Sequence, residues 1–126
     1  MDYRLKREKD FNLVFGKGKR LFSNNLTLLY IKQNSLKVGF AVGKKHGGSV
    51  KRNKIKRYLR ESFRSFLPFL RQDFFFVFIP KVKEEYRLED IKKDMGYLLK
   101  KGGFFNDENY VKENSPSVKT SSDNAD

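Results

Sequence analysis

Between Lys51 and Phe66 the chain reads Lys51-Arg52-Asn53-Lys54-Ile55-Lys56-Arg57-Tyr58-Leu59-Arg60-Glu61-Ser62-Phe63-Arg64-Ser65-Phe66. Two patterns share this stretch. Ile55, Tyr58, Leu59, Ser62, Phe63, Phe66 and Leu67 recur at the spacing of a one-sided helix. At about 100° per residue, Asn53, Lys56, Arg57, Arg60 and Arg64 gather on the opposite side, within roughly 100° of one another. Arginine offers phosphate a planar fork of donors and lysine a point charge. Lys44 and Lys45, read as the end of the preceding strand, extend that field toward the helix N-terminus. The chemistry is the holding of an anionic polymer. A solvated charged face is the plainer alternative, but Glu61 is the one acid within the run.

Residues able to break or make bonds are scarce. The single histidine, His46, lies in a glycine loop with no carboxylate in the sequence to orient it, and reads as a surface residue rather than a general base. Asp90 and Asp94 are spaced i,i+4 and, with Glu89, share one predicted helix. Lys92 and Lys93 intervene, so a solvated face is the better reading than a metal site. Glu84 and Glu85 begin a turn and suggest nothing. Cysteine is absent, which excludes thiolate zinc sites, disulfides and cysteine nucleophiles. The expectation is no catalytic residue and no metal ligand set in this protein. A second binding chemistry is available instead. Phe11 and Phe15 are i,i+4 neighbours on one helix face, and with Phe22 and Tyr30 they could line a groove where unpaired bases stack. For any one phenylalanine of this chain, core packing is the competing assignment.

These groups need elements to hold them. Asp10 is a candidate N-cap for a short helix, Phe11 to Phe15, ended by Gly16-Lys17-Gly18, with residues 1–9 loosely held before it. Leu26 to Ile31 reads as a strand, Lys32 to Ser35 as a turn, and an extra short strand fits near residues 20–23. In the next strand Val38, Phe40 and Val42 alternate with Gly39, Ala41 and Gly43. Its bare face suits the close approach of a helix or another backbone. Ser49 is the candidate N-cap of the basic helix and Pro68 its stop. Phe74 to Ile79, apolar on both faces, reads as a central strand ending at Pro80. Leu88, Ile91, Met95, Leu98 and Leu99 describe a last amphipathic helix closed by Gly102-Gly103. The order α-β-β-(β)-α-β-α implies an α+β sandwich of helices on a small mixed sheet.

At 126 residues the chain fits one domain, and its formal charge of +13 exceeds what solubility requires. From Phe104 the composition changes: residues 104–126 hold two Lys and five Asp/Glu. That leaves 26 basic and 10 acidic residues over 1–103, a net charge of +16. The division is therefore a folded domain, 1–103, and a disordered acidic tail, 104–126. No apolar run reaches the roughly 18 residues a membrane span needs, and no apolar stretch follows the basic N-terminus to make a secretory signal. A cytoplasmic protein without a membrane partner is expected. The thirteen phenylalanines compensate for a hydrophobic content of only 38%.

The run from Arg52 to Arg64 resembles the "RNR" signature of the bacterial ribonuclease P protein component. Lys9 to Lys19 resembles that family's opening helix and Leu28-Leu29-Tyr30 its second strand. Val38 to Lys45 is similar to the strand entering the signature helix, and Leu98 to Lys101 to the closing helix. His46 and Gly48 depart from it, at positions more often aliphatic and Asn. The resemblance covers roughly residues 3–103. It implies an α-β sandwich like the second domain of ribosomal protein S5, with a left-handed β-α-β crossover that contradicts the default hand.

It implies also a protein subunit of an endoribonuclease, a hydrolase whose chemistry is carried by a catalytic RNA subunit with bound Mg2+. The partners would be that RNA and precursor tRNA, whose 5′ leader is removed, and the protein alone would be a monomer. Lys44, Lys45, Arg52, Asn53, Lys56, Arg57, Arg60 and Arg64 would contact the RNA subunit. Phe11, Phe15 and Tyr30, with weaker support for Phe22, would border the leader's cleft. A ribosomal or other structural RNA-binding protein is the rival from another class, although it has no need of a single-strand stacking cleft. A helix-turn-helix is weaker still, because a strand and a glycine loop precede the basic helix.

Overall fold

Seven residues of unbroken apolar character have to be covered on two sides, and the computed structural model, which describes residues 2–106, covers them so. Strand β4 (Phe74–Pro80) lies inside a four-stranded sheet of order β1-β2-β4-β3, with β1 at Lys19–Phe22, β2 at Leu26–Lys32 and β3 at Lys37–Phe40. β1, β2 and β4 pair antiparallel, and β3 pairs parallel to β4. Such a parallel pair needs a long crossover. Helix α2 (Ser49–Phe66) supplies it, so the signature run is the connection itself.

The register decides the two faces. Tyr30 pairs with Phe76 and Leu28 with Phe78, and this set packs under α2 and α3 (Leu88–Lys101) in the larger core with Ile55, Leu59, Phe63, Ile91, Met95, Leu98 and Leu99. The alternate residues Leu29, Phe75 and Val77 face the other way. They meet Leu5 and Val14, with Phe11 against them, beneath α1 (Glu8–Lys17). All seven expected elements are present in the expected order, including the extra strand near residues 20–23.

Several boundaries move. α1 begins at Glu8 rather than after an Asp10 cap. Asp10 sits in the first turn, where a carboxylate suits the helix dipole, and binds Arg7 Nε at 3.2 Å. The helix passes through Gly16 and Lys17 and ends at Gly18, where a Cβ would stand 2.4 Å from the Val14 carbonyl oxygen. α2 is capped by Gly48 rather than Ser49, which is its first residue. Residues 3–5 are not loose. Leu5 N–H donates to Val38 O and Val38 N–H to Tyr3 O, both at 2.8 Å, which covers the open edge of β3.

The packed chain also runs past the boundary that composition suggests. Phe104 is 1% exposed, with its ring 4.8 Å from those of Tyr30 and Phe74 and 5.0 Å from that of Phe76. Phe105 meets Phe66, and Asn106 donates to the Phe69 carbonyl. Two aromatic residues are too much apolar surface to leave in water, whatever the polarity of the sequence after them. The expected disorder of the remaining tail lies outside the described residues.

Candidate nucleic-acid interface

Helix α2 separates its two chemistries by angle. Ile55, Leu59, Ser62, Phe63 and Phe66 are buried, while Asn53, Lys54, Arg57, Arg60 and Arg64 are exposed and Arg52 and Lys56 half-buried. Among the described residues no cation of α2 is in an ion pair. Lys54 and Arg57 flank the Tyr58 ring at 5.8 and 5.5 Å. Lys51 differs from the rest: its Nζ donates to the Lys83 carbonyl at 2.9 Å and stands 5.5 Å from the Tyr86 ring, so it binds the fold to itself.

Lys44 and Lys45 are exposed but do not end a strand. β3 stops at Phe40 and the sheet's last bond there runs from Ala41 N–H to Phe78 O, after which Lys44–His46 form a 3-10 turn. His46, expected at the surface, is buried. Gly43 N–H donates to its Nδ1 at 3.0 Å and its Nε2 lies 2.7 Å from the Pro80 carbonyl. Both ring nitrogens serve the backbone, which satisfies the polar atoms of a buried histidine. The one hint in the sequence was a polar ring amid glycines.

The aromatic group is divided by the sheet. Phe11 lies directly on Gly39, where a Cβ would come 2.5 Å from the ring, so the bare strand face is where α1 comes close. Phe15 stacks beside it, with ring centroids 6.5 Å apart and planes at 22°, and is 40% exposed. Phe22 pairs with Thr27 and, through it, Ile79, on this same side of the sheet, and is 57% exposed. Tyr30 is not with them. Strand parity puts it with Leu28 and Phe76 on the opposite face, edge-on to Phe74 and Phe104. It belongs to the core under the helices, and the expected place in the groove is corrected accordingly.

The acids are occupied or dispersed. Asp94 accepts from Ser23 Oγ at 2.9 Å and from Asn25 N–H at 2.7 Å, tying the β1–β2 turn to α3, and Glu89 stands beside Arg87. Among the described residues no three His, Cys, Asp or Glu side chains are grouped to hold a metal ion.

The described residues thus offer a cationic face on α2 and a stacked aromatic pair under the sheet. The family model described as Ribonuclease P matches residues 1–103. The chain belongs to the bacterial ribonuclease P protein component family. The family's protein component from Lactococcus lactis subsp. lactis is 37% identical over 101 residues, covering 78% of this chain and 86% of its own length. That from Clostridium beijerinckii is 36% identical over 121 residues, covering 86% and 94%. Among solved structures, the RNase P protein of Staphylococcus aureus superposes with a TM-score of 0.75 at 25% identity, covering 84% of this chain and 100% of that one. The RNase P protein of Thermotoga maritima gives 0.70 at 31%, covering 78% and 96%. Membership makes the protein a subunit of the ribonuclease P endoribonuclease, acting in tRNA processing within a ribonucleoprotein, and implies an RNA subunit as partner. Among the described residues no helix is long and apolar enough to cross a membrane.

Proposed function

We propose that this subunit touches two RNAs at once, with different chemistry on each side of its sheet. The catalytic RNA is held by phosphate contacts from Lys44, Lys45, Arg52, Asn53, Lys56, Arg57, Arg60 and Arg64. The single-stranded 5′ leader of precursor tRNA lies along α1, stacking on Phe15 and Phe11 and reaching Phe22. The observation that carries this reading is the pairing of an α2 face free of ion pairs among the described residues with a ring at Phe15 left 40% exposed beside Phe11. Each phosphate neutralised releases counterions, which makes binding steeply salt-dependent. Each stacked base contributes about 1–3 kcal/mol without demanding a sequence.

No protein group need perform the cut. Holding leader and RNA subunit together aligns the scissile phosphate against the catalytic RNA, which is catalysis by positioning. Divalent ions in this reading belong to the RNA, the protein is a monomer before assembly, and it works in the cytoplasm. The decisive experiment mixes the protein with a cognate ribonuclease P RNA and precursor tRNA at low Mg2+. Cleavage is expected at the mature 5′ end with both components present and none with the protein alone. Cleavage by rigorously RNA-free protein would overturn the proposal.

A further inference from the structure

The connection from β3 to α2 carries Lys44 and Lys45 and contains three glycines, Gly43, Gly47 and Gly48. Glycines give a chain little shape of its own. Backbone bonds from His46 N–H to Gly43 O and from Gly47 N–H to Lys44 O close the turn, and two side chains, His46 within it and Lys51 in α2, tie it to the rest of the fold. His46 is 1% exposed. Gly43 N–H lies 3.0 Å from its Nδ1, and an amide can only donate, so Nδ1 carries no proton even though the Gly43 carbonyl is also 3.3 Å away. The ring proton is therefore on Nε2, donated to the Pro80 carbonyl at 2.7 Å. One neutral ring closes the turn and ties it to the last residue of β4.

Lys51 makes the second tie, donating to the Lys83 carbonyl, and its stem lies where a Cβ on Gly47 would stand 2.6 Å from Cδ. Both ties end on residues 80–83, which are themselves braced. Lys83 N–H donates to the Tyr86 hydroxyl at 3.0 Å, the hydroxyl donates to Lys81 O at 2.6 Å, and Lys81 N–H donates to Asn25 O at 2.9 Å. The turn is clamped to a fixed platform.

We infer that His46 is a positioning residue for RNA binding, holding the 44–46 turn so that Lys44 and Lys45 stand preformed beside the start of α2. The inference rests on the reading that these two lysines bind RNA phosphate. Removing the ring strands Gly43 N–H and Pro80 C=O and frees a glycine-rich turn, so both lysines must be ordered at the moment of binding.

The test is a thermodynamic cycle on the full chain, measuring affinity for ribonuclease P RNA across a salt series. The variants are His46→Ala, His46→Gln, the pair Lys44→Ala with Lys45→Ala, and the pair combined with each histidine change. Thermal unfolding checks that each is folded at the assay temperature. The lysine pair is expected to reduce the slope of log affinity against log salt by about 0.7–0.9 for each phosphate that is no longer neutralised. No change there would sink the phosphate reading of these lysines and the inference with it.

If the slope does change, His46→Ala is expected to weaken binding about tenfold with the lysines present and by less than about twofold without them. His46→Gln, whose amide can still donate to Pro80, is expected to recover part of the loss. An equal loss in both backgrounds, or an unchanged affinity and salt slope, would overturn the inference while leaving the lysine reading intact. Should His46→Ala fail to fold, His46→Leu, which fills the space but can make neither hydrogen bond, takes its place in the cycle, and either of those two outcomes overturns the inference in the same way.

Discussion

Phe15 and Gly39 show how much turns on single residues under the sheet. Phe15 is half in water, so its truncation removes little packing, whereas the ring it presents is available to a base. Phe15→Ala is expected to lower affinity for precursor tRNA with a long leader by about 1–3 kcal/mol and to leave mature tRNA almost unaffected. Equal losses in paired titrations of the assembled enzyme would remove the stacking assignment. Gly39 works by what it lacks. Any Cβ there meets Phe11 at 2.5–2.6 Å, and a ring cannot fold out of the way as a lysine stem can. Gly39→Ala is expected to cost about 1–3 kcal/mol of stability as an overpacking change. Denaturant unfolding measures it, and a neutral result would mean that α1 does not rest closely on the strand.

Helix α2 carries two separable contributions on two faces. Phe63 is fully buried among Tyr3, Phe40, Phe76 and Phe78, so Phe63→Ala is expected to destabilise the fold by about 3–5 kcal/mol. Arg60 is exposed and outside every ion pair among the described residues, so Arg60→Ala is expected to change stability by less than about 0.5 kcal/mol. The same change is expected to flatten the salt dependence of RNA binding by roughly one phosphate contact. Unfolding and binding measurements should therefore separate the two variants, and an Arg60 variant that melts early but binds normally would invert the assignment. This division was legible in the sequence because a helix of period 3.6 writes its buried face into the spacing of its apolar residues. The exception is Lys51, which shares the run's composition but donates to Lys83, a residue 32 positions away.

For the whole molecule, a buried aromatic residue carries the packed core past residue 103. Phe104 closes the helix-side core against Tyr30, Phe74 and Phe76. A chain cut after Gly103 is expected to be less stable than one cut after Asn106 by at least about 3 kcal/mol, the cost of losing one buried phenylalanine. Equal denaturation midpoints would return the boundary to 103. The sheet also separates the basic helix from the stacked Phe11–Phe15 pair, with α2 on one side and α1 on the other.

Patterns local in sequence determined most of this protein by themselves. Element order, the two-faced basic helix, the central phenylalanine strand and the bare strand face all follow from spacings of a few residues, where periodicity speaks directly. Tertiary structure alone decided the rest. Tyr30 left the groove because register with β4 sets which way a strand's alternate residues point. His46 went inside because the carbonyl that satisfies it belongs to Pro80, 34 residues on. Phe104 joined the core because a buried ring is chosen by the space other elements leave, and that space does not exist until they have packed.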